Sequence, residues 1–257
     1  MDNSTIRPPV TAIGRAPAGP KMRRVGHKGA DHIAPGNTLA SFDAALAHDV
    51  DMIEFDILPT DPHADRMQVP LILAHDYTVS SIADSPTLDE GLAHFASDAF
   101  ANVELDVDLK LPGYEDRVVE ALRRYDLVHR SLISTMYPES LARIREIEPN
   151  VRLGLSVPRV HKDYTSSALT IAPALVGLVV YRALLPRRAY REISEGRCDA
   201  IMAHWRLVTP KLVRAVNRAG GDLYVWTVDD LPRIQSLERL GVTGVISNDP
   251  RLFDALV

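Results

Sequence analysis

The chain has 257 residues, 46% hydrophobic and 25% charged, with a formal net charge of −5. This is the profile of an ordinary globular protein of one large or two small domains, and it excludes the strong basic field of a nucleic-acid binder. Cys198 is the only cysteine, so no internal disulfide can form, which suits a cytoplasmic location.

Residues 1–22, rich in Pro, Gly and Ala and without an apolar core of the secretory type, read as a flexible tail. From residue 23 to 257 strand-like and helix-like segments alternate. The strand-like runs are Arg24–His27, Met52–Leu58, Leu71–His75, Val103–Lys110, Ser131–Thr135, Arg152–Val157, Asp199–His204, Leu223–Val228 and Val242–Ser247. Helical patterns cover Thr38–His48, Leu88–Ala96, Glu115–Tyr125, Pro138–Ile147, Pro210–Ala219 and Leu231–Leu240. Gly220-Gly221 and Gly241 sit where C-terminal caps belong. Alternation of this kind predicts βαβ units and a parallel sheet.

Nine runs are one too many for an eight-stranded barrel. The gap between Leu58 and Leu71 is turn material, Pro59-Thr60-Asp61-Pro62-His63, too poor in helical pattern for a parallel crossover. Leu71–His75 therefore reads as the return limb of a β-hairpin excursion after the second strand. What remains is a single (β/α)8 TIM barrel. An open doubly wound sheet is the weaker alternative, because polar residues end the first three barrel strands.

The stretch Ala168–Leu185, ALTIAPALVGLVVYRALL, is unusually apolar. It reads either as a barrel helix buried against the core or as a surface that touches lipid or a partner, in peripheral membrane contact through 168–185.

The chemistry concentrates at strand ends. Glu54 and Asp56 are two apart on one strand, hence on one face, and two such carboxylates need a cation between them. Hard oxygen ligands favour Mg2+ or Ca2+. In Glu104-Leu105-Asp106-Val107-Asp108-Leu109-Lys110 the polar residues share a second inner face. Asp108 is the natural third metal ligand, Lys110 a group for a phosphate, and Glu104 and Asp106 read as structural hydrogen-bonding groups. His27 and His75 each end an apolar run and are candidate proton carriers. His48, His63, His94, His129 and His161 fall in helices or loops and read as solvated. His204-Trp205 closes a strand and either lines the pocket or packs in the core.

The ordered set His27-Lys28-Gly29, Gly36-Asn37-Thr38, Glu54-x-Asp56, His75-Asp76, Asp108-x-Lys110, Trp226-Thr227-Val228 and Gly244-Val245-Ile246-Ser247-Asn248-Asp249 resembles the glycerophosphodiester phosphodiesterase family. The resemblance runs from Arg24 to about Phe253. It implies a barrel that uses one divalent cation, Mg2+ or Ca2+, to hydrolyse glycerophosphodiesters to glycerol 3-phosphate and an alcohol. It implies His27 and His75 as the acid/base pair and Glu54, Asp56 and Asp108 as metal ligands. Lys28, Lys110, Trp226 and His204 would meet the substrate, whose own neighbouring hydroxyl would be the first nucleophile. Three positions depart from the family pattern: Lys28 stands for Arg, Gly36 for Glu and Asp108 for Glu. Asp108-x-Lys110 is also similar to venom-type phospholipase D toxins. A lysophospholipase D-type cleavage of a lipid phosphodiester is therefore the alternative, with a catalytically weak phosphate-ligand-binding barrel as a further one. The partner expected is a small-molecule or lysolipid phosphodiester, with no nucleic acid, in a cytoplasmic and membrane-associated setting.

Overall fold

The computed structural model describes residues 21–78, 85–159 and 168–256, with side chains from residue 177 onward in the last segment. The expected tail lies almost wholly outside the described residues.

Strands β1 (Arg23–Gly26), β2 (Met52–Pro59), β4 (Glu104–Leu109), β5 (Ser131–Thr135), β6 (Arg152–Val157), β7 (Ala200–His204), β8 (Asp222–Trp226) and β9 (Gly244–Ser247) pair in parallel, in that order. β1 pairs with β2 on one side and β9 on the other, with Val25 opposite both Met52 and Ile246, so the sheet closes into an eight-stranded barrel. β3 (Leu71–Leu73) runs antiparallel to β2, Leu58 opposite Ile72. The chain is thus a (β/α)8 barrel with the expected hairpin. The hairpin ladder ends at Leu73, so His75 lies two residues beyond it.

Around the barrel stand α1 (Leu39–Leu46), α2 (Leu88–Phe95), α3 (Glu115–Arg124), α4 (Pro138–Ile147), α5 (Ala168–Ser194), α6 (Pro210–Ala219) and α7 (Leu231–Leu240). Their ends follow from local chemistry. Thr209 and Asp230 cap the first turns of α6 and α7, each followed by a proline whose missing N–H costs nothing there. Gly220 and Gly241 close them in the left-handed conformation, φ 76° and 83°.

The period-2 alternation of the strands divides the molecule into two interiors. Phe55, Ile57, Leu105, Val107 and Leu109 point outward and are buried under the helices. There the rings of Phe42, Phe55 and Phe95 stack with centroids 4.6–6.0 Å apart. Inside the barrel, Val25, Met52, Leu132, Ala200, Met202, Tyr224 and Ile246 form a smaller apolar plug. Gly154 leaves room for it: a β-carbon there would stand 2.9 Å from Leu132 and 3.0 Å from Met202. Below the plug, at the N-terminal ends of the strands, Arg152 bonds Glu104 (2.8 Å), Asp222 (3.0 Å) and the Tyr224 hydroxyl (3.2 Å), and Arg23 pairs with Glu104.

Of the two readings of 168–185, packing against the core holds for one face of the described part. Leu178 and Tyr181 pack against the core and Leu185 is buried, whereas Val179, Val180 and Leu184 are exposed. Among the described residues no helix is long and apolar enough to cross a membrane. Of the histidines read as solvated, His63 and His129 are exposed, His48 and His94 are partly exposed, and His161 lies outside the described residues. His48 bonds Asp254 at 3.0 Å and His94 bonds Asp43 at 2.8 Å, each finding a carboxylate on a neighbouring segment.

Candidate active site

Above the plug, at the C-terminal ends of the strands, polar side chains converge. β2 carries Glu54 and Asp56, held in register with Asp106 and Asp108 of β4. Oxygens of Glu54, Asp56 and Asp108 lie within 4.8 Å of one another. Lys110 Nζ sits 2.5 Å from both Asp56 Oδ1 and Asp108 Oδ2. Asn37, in the left-handed conformation at φ 60°, clasps Asp56 from the other side. Its Nδ2 donates to Asp56 Oδ2 (2.9 Å) and its Oδ1 accepts from the Asp56 N–H (3.0 Å). Such a backbone position costs about 1 kcal/mol for a residue other than glycine, and the double clasp offsets it.

These groups perturb one another strongly. Burial, then the charge of Asp56, pushes the Glu54 carboxyl well up. Burial also pushes Asp56 upward, but Lys110, the two histidines and the Asn37 hydrogen bond outweigh it and hold Asp56 below the usual carboxylate range. Asp108 is raised by burial, partly offset by Lys110. Asp106 is pushed up to about 8 by burial, with Asp108 adding to the effect. Burial disfavours the Lys110 ammonium, yet Asp108, Asp56 and Glu54 together hold its pKa well above the ordinary lysine value.

His27 follows β1 at the same end. Its Nδ1 lies 2.5 Å from Asn248 Oδ1 and its Nε2 faces Glu54 at 3.8 Å. Asn248 is fixed in turn by Asp229, which accepts from its Nδ2 (2.7 Å) and its backbone N–H (2.8 Å). Because Asn248 uses its amide protons on Asp229, its carbonyl oxygen is left to receive the His27 Nδ1 proton. That leaves Nε2 as the free lone pair facing the carboxylates. Burial lowers the His27 pKa to about 4, against the opposing pull of Asp56 and Asn248.

The remaining expected residues are placed as follows. His75 stands past the hairpin, half-exposed, its Nδ1 3.5 Å from Asp76. Lys28, also left-handed at φ 49°, donates its N–H to Glu54 (2.8 Å), while its ammonium pairs with Asp31 at 3.3 Å. Trp226 and His204 end β8 and β7 directly opposite each other, their rings edge to face at 5.2 Å. Trp226 Nε1 donates to the Met202 carbonyl (2.9 Å), which fixes the indole. His204 also stacks on Trp205 at 5.5 Å, so it both packs and borders the barrel mouth.

Sequence reasoning passed over Asp31 and Asp229 and gave no role to Asn37 and Asn248. A signal existed for Asp229, which follows the strand end Trp226-Thr227-Val228. None existed for Asp31, whose role appears only when the loop after His27 folds back. Asp106, read as a structural hydrogen-bonding group, keeps its buried Oδ1 without a hydrogen bond.

The donor set fits a hard divalent cation. Three carboxylate oxygens converge, and Asp56 Oδ1 is buried and in contact with a cation but without a hydrogen bond, the environment an oxygen ligand has before a metal satisfies it. Glu54, Asp56 and Asp108 are the residues that would hold such an ion.

The model of the glycerophosphoryl diester phosphodiesterase family matches residues 27–85 and 83–252. A glycerophosphodiester phosphodiesterase of Caldanaerobacter subterraneus subsp. tengcongensis is 24% identical over 268 residues, covering 91% of this chain and 96% of its own. One from Bacillus subtilis is 23% identical over 271 residues, covering 91% and 85%. In three dimensions, a glycerophosphodiester phosphodiesterase from Parabacteroides distasonis superposes with a TM-score of 0.71 at 16% identity, covering 93% of this chain and 98% of that one. An Oleispira antarctica phosphodiesterase, solved with the product sn-glycerol-3-phosphate, gives 0.63 at 19% identity, covering 91% and 96%. The fold and the family-model match together place the chain in the glycerophosphoryl diester phosphodiesterase family, and so among the phosphoric diester hydrolases.

Proposed function

We propose that the chain hydrolyses glycerophosphodiesters to glycerol 3-phosphate and an alcohol, using one divalent cation and the pair His27 and His75. The observation that carries this reading is the juxtaposition of His27 Nε2 with the Glu54–Asp56–Asp108 cluster. A cation held by those three carboxylates, Mg2+ or Ca2+, would neutralise phosphate oxygens during attack.

The chain's own residues then divide the work. With its pKa lowered to about 4, His27 is neutral at pH 7 and can accept a proton at Nε2. The donor would be the substrate hydroxyl next to the phosphate, which attacks phosphorus, expels the alcohol and leaves a cyclic phosphate that water opens in a second step to glycerol 3-phosphate. His75, exposed beyond the hairpin, would protonate the departing alcohol oxygen. Lys110 would offer its ammonium to the phosphate once a cation takes over its carboxylates. Lys28 would meet the same phosphate through a point charge rather than an arginine fork. Trp226 and His204 would wall the pocket.

A lysolipid phosphodiester is the second reading, favoured by the exposed apolar residues of α5. Peripheral membrane contact through 168–185 would bring the site to such a substrate, and a cytoplasmic location belongs to the same proposal. The test is a panel of glycerophosphocholine, glycerophosphoethanolamine, lysophosphatidylcholine and sphingomyelin, assayed with EDTA and then with Mg2+ or Ca2+. Turnover of the glycerophosphodiesters that stops with EDTA and returns with either ion is expected. Full activity in EDTA would refute the metal site, and near-normal activity of His27→Ala or His75→Ala would refute the acid/base pair.

A further inference from the structure

α5 is longer than the barrel it leans on. Its 27 residues span about 40 Å, and among those whose side chains are described the buried positions, Leu185, Ala189 and Ile193, recur every four residues towards its C-terminal end. Its level against the barrel is fixed at two points. Near the bottom, Ile193 packs on Gly221, just before β8. Higher up, Arg182 Nη2 donates to the carbonyl of Val208 at 3.4 Å, in the turn after β7 and therefore at the catalytic end. The stretch of the helix around Arg182, residues 178–184, therefore lies level with the rim of the active site. There Val179, Val180 and Leu184 are 66%, 51% and 57% exposed, and the sequence before them, ALTIAPALVG, holds no charge.

The charge beneath this tip is one-sided. From Ala168 to Gly221 the chain holds nine Lys and Arg and three acids, a net of +6 in a protein whose total is −5. Arg187 and Arg191 on α5 and Arg206, Lys211, Arg214 and Arg218 on and before α6 are exposed. The acids are Glu192, engaged by Arg188 and Arg197, Glu195, engaged by Arg197, and Asp199, engaged by Arg145. All three lie at the lower end of α5 or below it. Val180 and Leu184 stand about one to two turns above Arg187, a rise of roughly 5–11 Å. That is the depth to which an interfacial helix enters a bilayer while its basic residues stay with the headgroups.

We infer that the α5–α6 face docks on an anionic lipid bilayer, with the tip of α5 among the acyl chains and the arginines below it on lipid phosphates. A second copy of the chain fits this face poorly. A two-fold interface would set the same arginines against each other. The orientation brings the barrel mouth to the membrane, so the inference rests on the phosphodiesterase reading for its purpose, though not for its test.

The test is sedimentation of the full-length protein with vesicles of phosphatidylcholine alone or with about one third phosphatidylglycerol. Wild type is expected to bind the anionic vesicles at least about tenfold more tightly, and to lose binding as salt rises. Leu184→Glu with Val180→Glu, and separately Arg187→Glu with Arg191→Glu, should each weaken binding by about tenfold or more. All variants should keep wild-type circular dichroism and turnover of soluble glycerophosphocholine. Equal affinity for both vesicles, or none for either, overturns the inference. So does light scattering that finds a dimer which Leu184→Glu dissociates. Vesicle binding without any phosphodiesterase activity would leave this inference standing and remove the proposed function.

Discussion

The two ends of the barrel interior carry nearly the same residue types and do opposite things. At the N-terminal end Arg23, Arg152, Glu104 and Asp222 balance exactly two charges against two, and each charged group has a partner. At the C-terminal end Glu54, Asp56 and Asp108 share a single lysine, with Asp106 below them. Buried charge is tolerated when paired and costly when not. The balanced end therefore needs nothing further and reads as stability, whereas the unbalanced end is one that an external cation would complete. One strand, β4, contributes to both, through Glu104 at one end and Asp108 at the other. A space of about 600 Å3 lined by Lys21, Arg24, Asp51 and Glu104 lies at the balanced end.

The contrast is broken or upheld most directly by one substitution at each end. Glu54→Gln should lower turnover on the order of 10^3-fold and leave the melting temperature unchanged or higher, since it relieves the burial and like-charge crowding that push the Glu54 carboxyl up. Arg152→Met should leave the catalytic end intact but strand Asp222 and leave Glu104 with Arg23 alone, costing about 2–3 kcal/mol of stability. Urea denaturation and steady-state kinetics on both variants decide the matter. If Glu54→Gln destabilises as much as Arg152→Met, the two ends are alike and the comparison fails.

A smaller effect follows from Lys110. Its ammonium holds the position between Asp56 and Asp108 that a divalent cation would share. Lys110→Met should lower stability in EDTA, because the carboxylates then face each other without a counter-charge. It should also tighten Mg2+ or Ca2+ binding by about tenfold, measured by calorimetry, as roughly 1.4 kcal/mol of competition is removed. Unchanged or weaker metal affinity would show that Lys110 assists the cation rather than competing with it.

This difference between the ends was only half legible in the sequence. The barrel was readable because its strands alternate strictly and because Pro59 to His63 could not hold a crossover helix. The inner face of Glu104, Asp106, Asp108 and Lys110 was readable for the same reason. What spacing does not encode is which distant residue meets which. Arg152 reaches Glu104 and Asp222 from 48 and 70 residues away, and those meetings depend on how the strands stagger around the barrel. The Asn37 clasp on Asp56 and the Asp229–Asn248–His27 chain are likewise made by loops that fold inward. A motif marks that such residues matter without saying what they touch.

The loop after His27 gives the finest test, because there the rim restores balance locally. Gly36 stands where the family pattern has Glu, which reads as a lost carboxylate. The structure returns one from another position: Asp31 accepts the Gly36 N–H at 2.9 Å and pairs with Lys28 at 3.3 Å. The two features exclude each other, since a β-carbon on Gly36 would lie 2.5 Å from Asp31 Oδ1 and 2.9 Å from Lys28 Cβ. Gly36→Glu alone should therefore cost about 1–3 kcal/mol through overpacking, and Asp31→Ala alone about 1 kcal/mol through the lost hydrogen bond and ion pair. Together they should cost less than their sum by about 1 kcal/mol or more, because removing the Asp31 carboxylate opens the space that Glu needs and Glu restores a charge beside Lys28. Urea denaturation of the four proteins measures that coupling. Strict additivity would mean that Gly36 and Asp31 are unrelated, and that the charge excess of the catalytic end extends to its rim.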